Sequence, residues 1–487
     1  MTLKKALKWS ALLLGLLAVV LTAVSLVFYL RWMRPDVPLP GTRMTQRSVG
    51  AASAGFEEEI AFARGRLAAS VEQLDLPSIS IAVGTADGPI WSEAVGLADL
   101  DSGTAAGVTT AYIVGSTAKA ITSVLLARLL DRRAIDLDAP LSSYLSGLPA
   151  DLGEVTARQL ASHTAGVRHY GFDLLSYPPH DSFSRRHYAN VTEALAAFSG
   201  DPLEFPPGSD FKYSTFGYVL LSAALEAAAG SSYPDLLRDE IARPLGLSTL
   251  AIAPPGPAAS VAERYVTESG KFCPAFPVDV SNRWAGGGLV ASPSDMVRFG
   301  QAFLDDRYIS PETRATLLTV QPLPGDRPNP QGYALGWRVQ EANSLIEGES
   351  IRIAHHGGVG MGGASFFMIV PDHGLVTSIV TNTGSPQARG GIQSLAVEIA
   401  GRFLQGMRRR PPVPSGAGTS QLPKNRVALE QPPVAGVLQK GLNVRDDGGP
   451  VESGQALDQN LPPRPGSDRR SFPPRLRQGV GEQFEIG

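Results

Sequence analysis

The chain has 487 residues, of which 43% are hydrophobic and 18% charged, with a formal net charge of −3. That is an ordinary globular balance with enough apolar material for a large core, and it lacks the basic field by which proteins hold nucleic acid through counterion release. The one cysteine, Cys273, excludes an internal disulfide and a cysteine-rich zinc framework.

Behind Lys4, Lys5 and Lys8, the run Trp9 to Leu30 carries no charge and is closed by Arg31 and Arg34. As a helix it would extend about 33 Å, enough to cross the hydrocarbon core of a bilayer. A cleaved signal peptide is the rival reading, with Ala23-Val24-Ser25 as a small-x-small site, but the apolar run continues past it. The length therefore predicts a single-pass transmembrane anchor at 1–34, with membrane as a partner through this helix. Basic residues at both ends leave its orientation open on charge alone. A Pro, Gly, Ser and Thr-rich linker is expected at 35–55.

Periodic structure begins at Phe56. Residues 56–73 read as a helix, Ser78 to Val83 and Ile90 to Val95 as strands around the turn Ala86-Asp87-Gly88, and Tyr112 to Leu130 as an apolar helix. After mostly helical matter, strands return at Ser365 to Val370 and Leu375 to Thr381. Strands, helices, then strands suggest an α+β fold in which the terminal segments share one antiparallel sheet, flanked by helices, with a mainly helical insertion. This folded unit is expected to span 56–407. From Arg408 to Gly487, Pro, Gly, Gln and Arg dominate without hydrophobic period, as in a disordered tail.

Three segments can carry chemistry. In Ile113-Val114-Gly115-Ser116-Thr117-Ala118-Lys119 the serine and lysine stand three apart at a predicted helix start, so hydroxyl and amine share one face. The positive end of the helix dipole and burial both favour a neutral amine able to take the serine proton, and the Ser116 N–H can face an oxyanion. Ser209-Asp210-Phe211-Lys212 has the same spacing but follows Pro206-Pro207-Gly208 in a loop and reads as a turn. The second segment, Phe211 to Tyr218, offers Tyr213, a phenol that a neighbouring lysine would help to ionise and so to accept the serine proton. The third, Ile353-Ala354-His355-His356-Gly357-Gly358-Val359-Gly360, is a strand entering a glycine-rich turn; its glycines admit a substrate backbone, and His355 could hydrogen-bond substrate.

Taken in order, Ser116-Thr117-Ala118-Lys119, Tyr213-Ser214-Thr215 and His355-His356-Gly357 resemble the serine β-lactamase and penicillin-binding-protein-like family, in its class C-like branch with patterns S-x-x-K, Y-x-N or Y-x-S/T, and K/H-x-G. Gln159 to Gly166, Ala285 to Ser292 with Asp295, and Leu335-Gly336-Trp337 support the likeness, which covers about 56–405 and is strongest to the LACTB-like serine hydrolases. The resemblance implies a β-lactamase/transpeptidase-like fold, Ser116 as nucleophile, Lys119 and Tyr213 as acid/base pair, and an oxyanion hole from the N–H groups of Ser116 and Gly358. His355, Gly357 and Thr215 would line the substrate site, without cofactor or metal. Thr215 in place of an amide and His355 in place of a lysine imply little β-lactamase activity.

The expectation is a membrane-anchored serine hydrolase that cleaves an ester or peptide amide of a small-molecule or peptide substrate through an acyl-enzyme. The resemblance implies a catalytic domain outside the cytoplasm, in the periplasm. The competing readings are a catalytically weak membrane-bound scaffold on the same fold and a metallohydrolase using His163, His169, His355, His356 and His373, whose spacings match no ligand signature.

Overall fold

The computed structural model describes residues 3–32, 46–171, 181–268 and 271–410. The chain divides into Met1–Lys424 and Asn425–Gly487; the second unit, and the expected tail from residue 411 onward, lie outside the described residues.

Helix α1, Leu3–Trp32, runs for 30 residues without a break. Its described apolar side chains between Trp9 and Leu26 all face solvent, Leu14 with 66% of its surface exposed. Over the described side chains no helix is long and apolar enough to cross a membrane; the part of the apolar run so described, Trp9 to Leu26, falls short of the roughly 20 residues a crossing takes.

The folded unit begins earlier than its hydrophobic period suggests. Arg47–Ala52 (β1), counted with the linker on composition, is a strand. It is followed by α2 (Glu57–Gln73), β2 (Ser78–Thr85) and β3 (Gly88–Asp99). The helical portion contains α3 (Ala118–Asp131), α4 (Thr215–Ala229) and α5 (Pro293–Leu304). The chain then returns through β4 (Arg338–Ala342), β5 (Ile351–Gly360), β6 (Gly363–Val370), β7 (Leu375–Thr381) and α6 (Pro386–Arg408). The strands form one antiparallel sheet in the order β1-β3-β2-β7-β6-β5-β4, with the short Thr104–Ala105 beside β3. First and last parts of the chain thus share the sheet, in the α+β arrangement expected.

Every residue of β6 and β7 is buried, because helices cover both faces and alternate side chains serve two separate cores. Phe366, Met368 and Ile353 join the core beneath α2 and α6, whereas Phe367, Ile369 and Ala354 join the one beneath α3 and α5. Serine caps set several helix starts: Ser214 Oγ accepts from Gly217 N–H at 2.9 Å, and Ser292 and Ser385, each followed by a proline, do the same for α5 and α6.

Candidate active site

The turn that carries Ser116 differs from its sequence reading. Tyr112–Ile113 is a short strand paired with Val290 and Ala291, and α3 begins only at Ala118, after the single tight turn Gly115–Thr117. That turn is clipped to the sheet. Ser365 Oγ donates to the Val114 carbonyl at 2.7 Å and Thr117 Oγ1 donates to the His356 carbonyl at 3.0 Å. Gly115 holds φ +51°, and a Cβ there would lie 2.5 Å from the Val359 nitrogen. Only glycine suits both the left-handed backbone and the approach. Ser116 is left partly exposed at the end of β5.

Lys119 is fully buried without a carboxylate partner among the described residues; its Nζ lies 2.6 Å from the Gly286 carbonyl, 3.0 Å from Thr215 Oγ1 and 3.4 Å from Ser116 Oγ. Burial, then the charges of Arg338 and Arg283, hold its pKa well below the ordinary lysine value. Desolvation is the largest of these causes. A neutral amine has two hydrogens and one lone pair. With Gly286 O and Thr215 Oγ1 taking those hydrogens, such an amine would turn its lone pair toward the Ser116 hydroxyl.

Tyr213 hydrogen-bonds Ser116, and its ring lies 4.7 Å below Lys119 Nζ. The expectation that the lysine would promote its ionisation is overturned. Burial dominates and pushes the phenol up to about 12, against the opposing Arg338 charge and Ser116 hydrogen bond. At neutral pH it is a proton donor. Thr215, expected at the substrate, is instead buried against Lys119.

Two histidines that the sequence offers only as candidate metal ligands hold this segment in place. His163 Nδ1 accepts from Ser214 N–H at 3.1 Å, and His169 Nδ1 accepts from Thr215 N–H at 3.0 Å. Acceptance through Nδ1 requires neutral rings, and burial accordingly lowers both pKa values, that of His169 to about 3.

The third motif needs a correction of one residue. On β5, His355 faces the α2 and α6 layer, its ring centroid 5.3 Å from that of Phe366, and both its ring nitrogens are buried without a partner. His356 points to the site, its ring 6.3 Å from that of Tyr213. Strand alternation makes the two histidines mutually exclusive occupants of one face. His356 Nδ1 donates to the Gly357 carbonyl at 2.7 Å, which leaves Nε2 to accept from Tyr333 Oη at 2.9 Å. Gly357 is partly exposed beside it, and Gly358 is pressed on the turn that carries Ser116, where a Cβ would fall 1.8 Å from the Val114 carbonyl oxygen. The motif at the site is therefore His356-Gly357-Gly358. Position in the doubled histidine concealed it, and Arg338 and Tyr333, which flank His356, carried no spacing signal. Among the described residues no cluster of His, Cys, Asp and Glu could hold a metal.

A beta-lactamase family profile matches residues 63–401. The chain belongs to the β-lactamase family. Among its relatives, mouse serine beta-lactamase-like protein LACTB, mitochondrial, is 27% identical over 72% of this chain and 81% of its own. Penicillin-binding protein 4 of Amycolatopsis lactamdurans is 28% identical over 63% and 81% respectively. The D-amino acid amidase of Ochrobactrum anthropi superposes with TM-score 0.59 at 19% identity, over 72% of this chain and 99% of the amidase, a likeness of fold. The family's serine hydrolases share the sheet and helical region described above, and the three clustered segments occupy the join between the two.

Proposed function

We propose that this member of the β-lactamase family is a membrane-anchored serine hydrolase that cleaves an ester or peptide amide by way of an acyl-enzyme on Ser116. The observation that carries the reading is the commitment of Lys119: both hydrogens of its neutral amine are engaged, and its lone pair meets Ser116 Oγ. Lys119 takes the hydroxyl proton as Oγ attacks the carbonyl carbon. The N–H of Ser116, with one from the Gly358–Val359 strand edge, receives the developing oxyanion. Tyr213, neutral with a pKa of about 12, protonates the departing oxygen or nitrogen, and water then attacks the ester on Ser116 with the proton path reversed. The 3.4 Å separation of Lys119 and Ser116 is a resting distance, of the kind that shortens when substrate fills the site.

The unbroken α1 and the apolar run Trp9 to Leu30 support a membrane anchor at 1–34, with the hydrolase domain, from Arg47 to about residue 407, outside the cytoplasm. A fluorophosphonate probe is expected to label the wild type on Ser116, and Ser116→Ala is expected to lose both labelling and ester turnover. Full turnover by Ser116→Ala would refute the acyl-enzyme.

A further inference from the structure

Besides Ser116, Lys119 Nζ has two neighbours that accept hydrogen bonds, the Gly286 carbonyl at 2.6 Å and Thr215 Oγ1 at 3.0 Å. These two are packed on each other: a Cβ at Gly286 would lie 2.6 Å from Thr215 Cγ2 and 3.0 Å from the Thr215 carbonyl oxygen. Together they set one angle at the amine, and that angle fixes where the lone pair of a neutral amine points. The position of Thr215 therefore matters to the proton transfer. Thr215 is the first residue of α4, where the helix ladder offers its N–H no partner. The side chain of the cap residue, Ser214, serves Gly217 instead. The Thr215 N–H goes to His169 Nδ1, at 3.0 Å.

His169 is well anchored for this part. Burial, then the charges of Lys119, Arg283, Lys212 and Arg168, keep its ring neutral. A neutral imidazole has one nitrogen lone pair to offer, and here Thr215 occupies it, so the ring has none left for a reacting proton. The backbone at His169 is pinned by its neighbour. Arg168 Nη1 donates to the His169 carbonyl at 3.1 Å and Nη2 to the Ala197 carbonyl at 2.8 Å, while the guanidinium pairs with Asp181 and Asp201. Ser214 Oγ in turn donates to the Arg168 carbonyl at 2.8 Å, and the His169 ring stands edge-on to that of Tyr213 with centroids 5.8 Å apart. The start of α4 is thus fastened to a segment that is itself fixed from outside the site.

We propose that His169 is a positioning residue for the proton transfer: by holding the Thr215 N–H it fixes the Thr215 hydroxyl, and through that hydroxyl it directs the Lys119 lone pair at Ser116. Its part is geometric, and it takes no proton itself. This rests on the acyl-enzyme reading above, in which Lys119 receives the Ser116 proton.

The test uses the full chain and a p-nitrophenyl ester, with kcat expressed per enzyme labelled to completion on Ser116 by a fluorophosphonate. An asparagine at position 169 carries its amide oxygen close to the place of Nδ1 and can accept from Thr215, whereas the longer glutamine puts its amide near the place of Nε2. His169→Asn is expected to keep most of the wild-type kcat. His169→Gln and His169→Leu should lower it by about 10²-fold with KM little changed, the scale of a reacting group displaced by about 1 Å. Thr215→Val deletes the hydroxyl and keeps the N–H, and should cost a similar factor. In that background His169→Leu should cost less than about twofold more, because no hydroxyl is left to misplace. If His169→Leu does not fold, the Asn and Gln variants carry the contrast by themselves. Losses that multiply in the double variant overturn the proposal. So does an unchanged kcat per labelled enzyme in His169→Gln, which leaves His169 a role in stability alone. A loss in His169→Asn as deep as in His169→Gln also overturns it, and assigns the imidazole a proton of its own. A wild type that the fluorophosphonate fails to label refutes the acyl-enzyme reading, and the proposal falls with it.

Discussion

Gly115 packs so tightly on Val359 that a methyl group on the glycine would come within 2.5 Å of the Val359 nitrogen and 2.7 Å of its carbonyl oxygen. The turn that presents Ser116 and the strand that borders the substrate edge are therefore a single fitted unit. Gly115→Ala must either leave its left-handed φ or force the strand away. It is expected to destabilise the protein by roughly 1–3 kcal/mol, the sum of backbone strain and a steric clash. The accompanying loss of ester turnover, with folding retained by circular dichroism, should exceed what partial unfolding explains. Wild-type turnover in Gly115→Ala would show that the fit is dispensable.

Lys119→Met removes the proton acceptor and is expected to lower kcat/KM by about 10²–10⁴. The pH profile carries the same mechanism. Protonation fills the lysine lone pair, so turnover falls on the acid side as pH drops through the depressed Lys119 pKa. Tyr213 keeps its proton to about 12, so this pair produces no alkaline limb below that pH. An alkaline limb near pH 8 that disappears in Tyr213→Phe would contradict this assignment.

The two adjacent histidines should behave oppositely. His355 has two orphaned ring nitrogens in an apolar layer, and an apolar replacement of similar size there is expected to be neutral or stabilising. His355→Leu should keep its activity and raise the melting temperature, whereas His356→Leu breaks the contacts to Tyr333 and Arg338 and should lose activity. Reversal of this pattern in parallel thermal melts and ester assays would restore the one-residue earlier reading of the motif.

Acid stability follows from the same burial. His169 and His355 titrate at about 3 in the folded protein, against about 6.5 in an unfolded chain. Between these values the unfolded chain binds more protons, so these rings cost no stability above about pH 6.5 and destabilise the fold increasingly as pH falls toward 3. At pH 5 each costs about 2 kcal/mol. Urea denaturation at pH 7 and pH 5 should show the drop, and His355→Leu should remove close to half of the part due to this pair.

Deletion of residues 1–32 is expected to move the protein from the membrane pellet to the supernatant, while the intact chain resists extraction with alkaline carbonate. An intact chain that fractionates with the supernatant would rule out the anchor.

Much of this was legible from sequence because the informative signals are local. Tyr213 and Lys119 sit in short motifs with fixed spacing, and the strands at Ser78, Leu375 and Gly363 are apolar runs bounded by turns. What escaped depends on partners far along the chain. β1 lacks an apolar period because it lies at a sheet edge with most of its side chains in water. Tyr112 and Ile113 look helical by composition, and pairing with Val290 and Ala291 overrides that. The phenol's pKa went astray because proximity to lysine lowers it only while the lysine is charged, and charge is what burial takes away. Which of two successive histidines faces the nucleophile is a matter of strand parity, and no count of residues around a histidine pair reveals it.

In the strand order, β1 lies at one border of the sheet and β5, whose far end is uncovered, near the other, five strand spacings apart. At about 4.8 Å per spacing this interposes about 24 Å of protein between the point where the chain from α1 joins the domain and the ledge beside Ser116. The border of the sheet at which the chain enters the domain is thus not the one that carries the ledge beside Ser116.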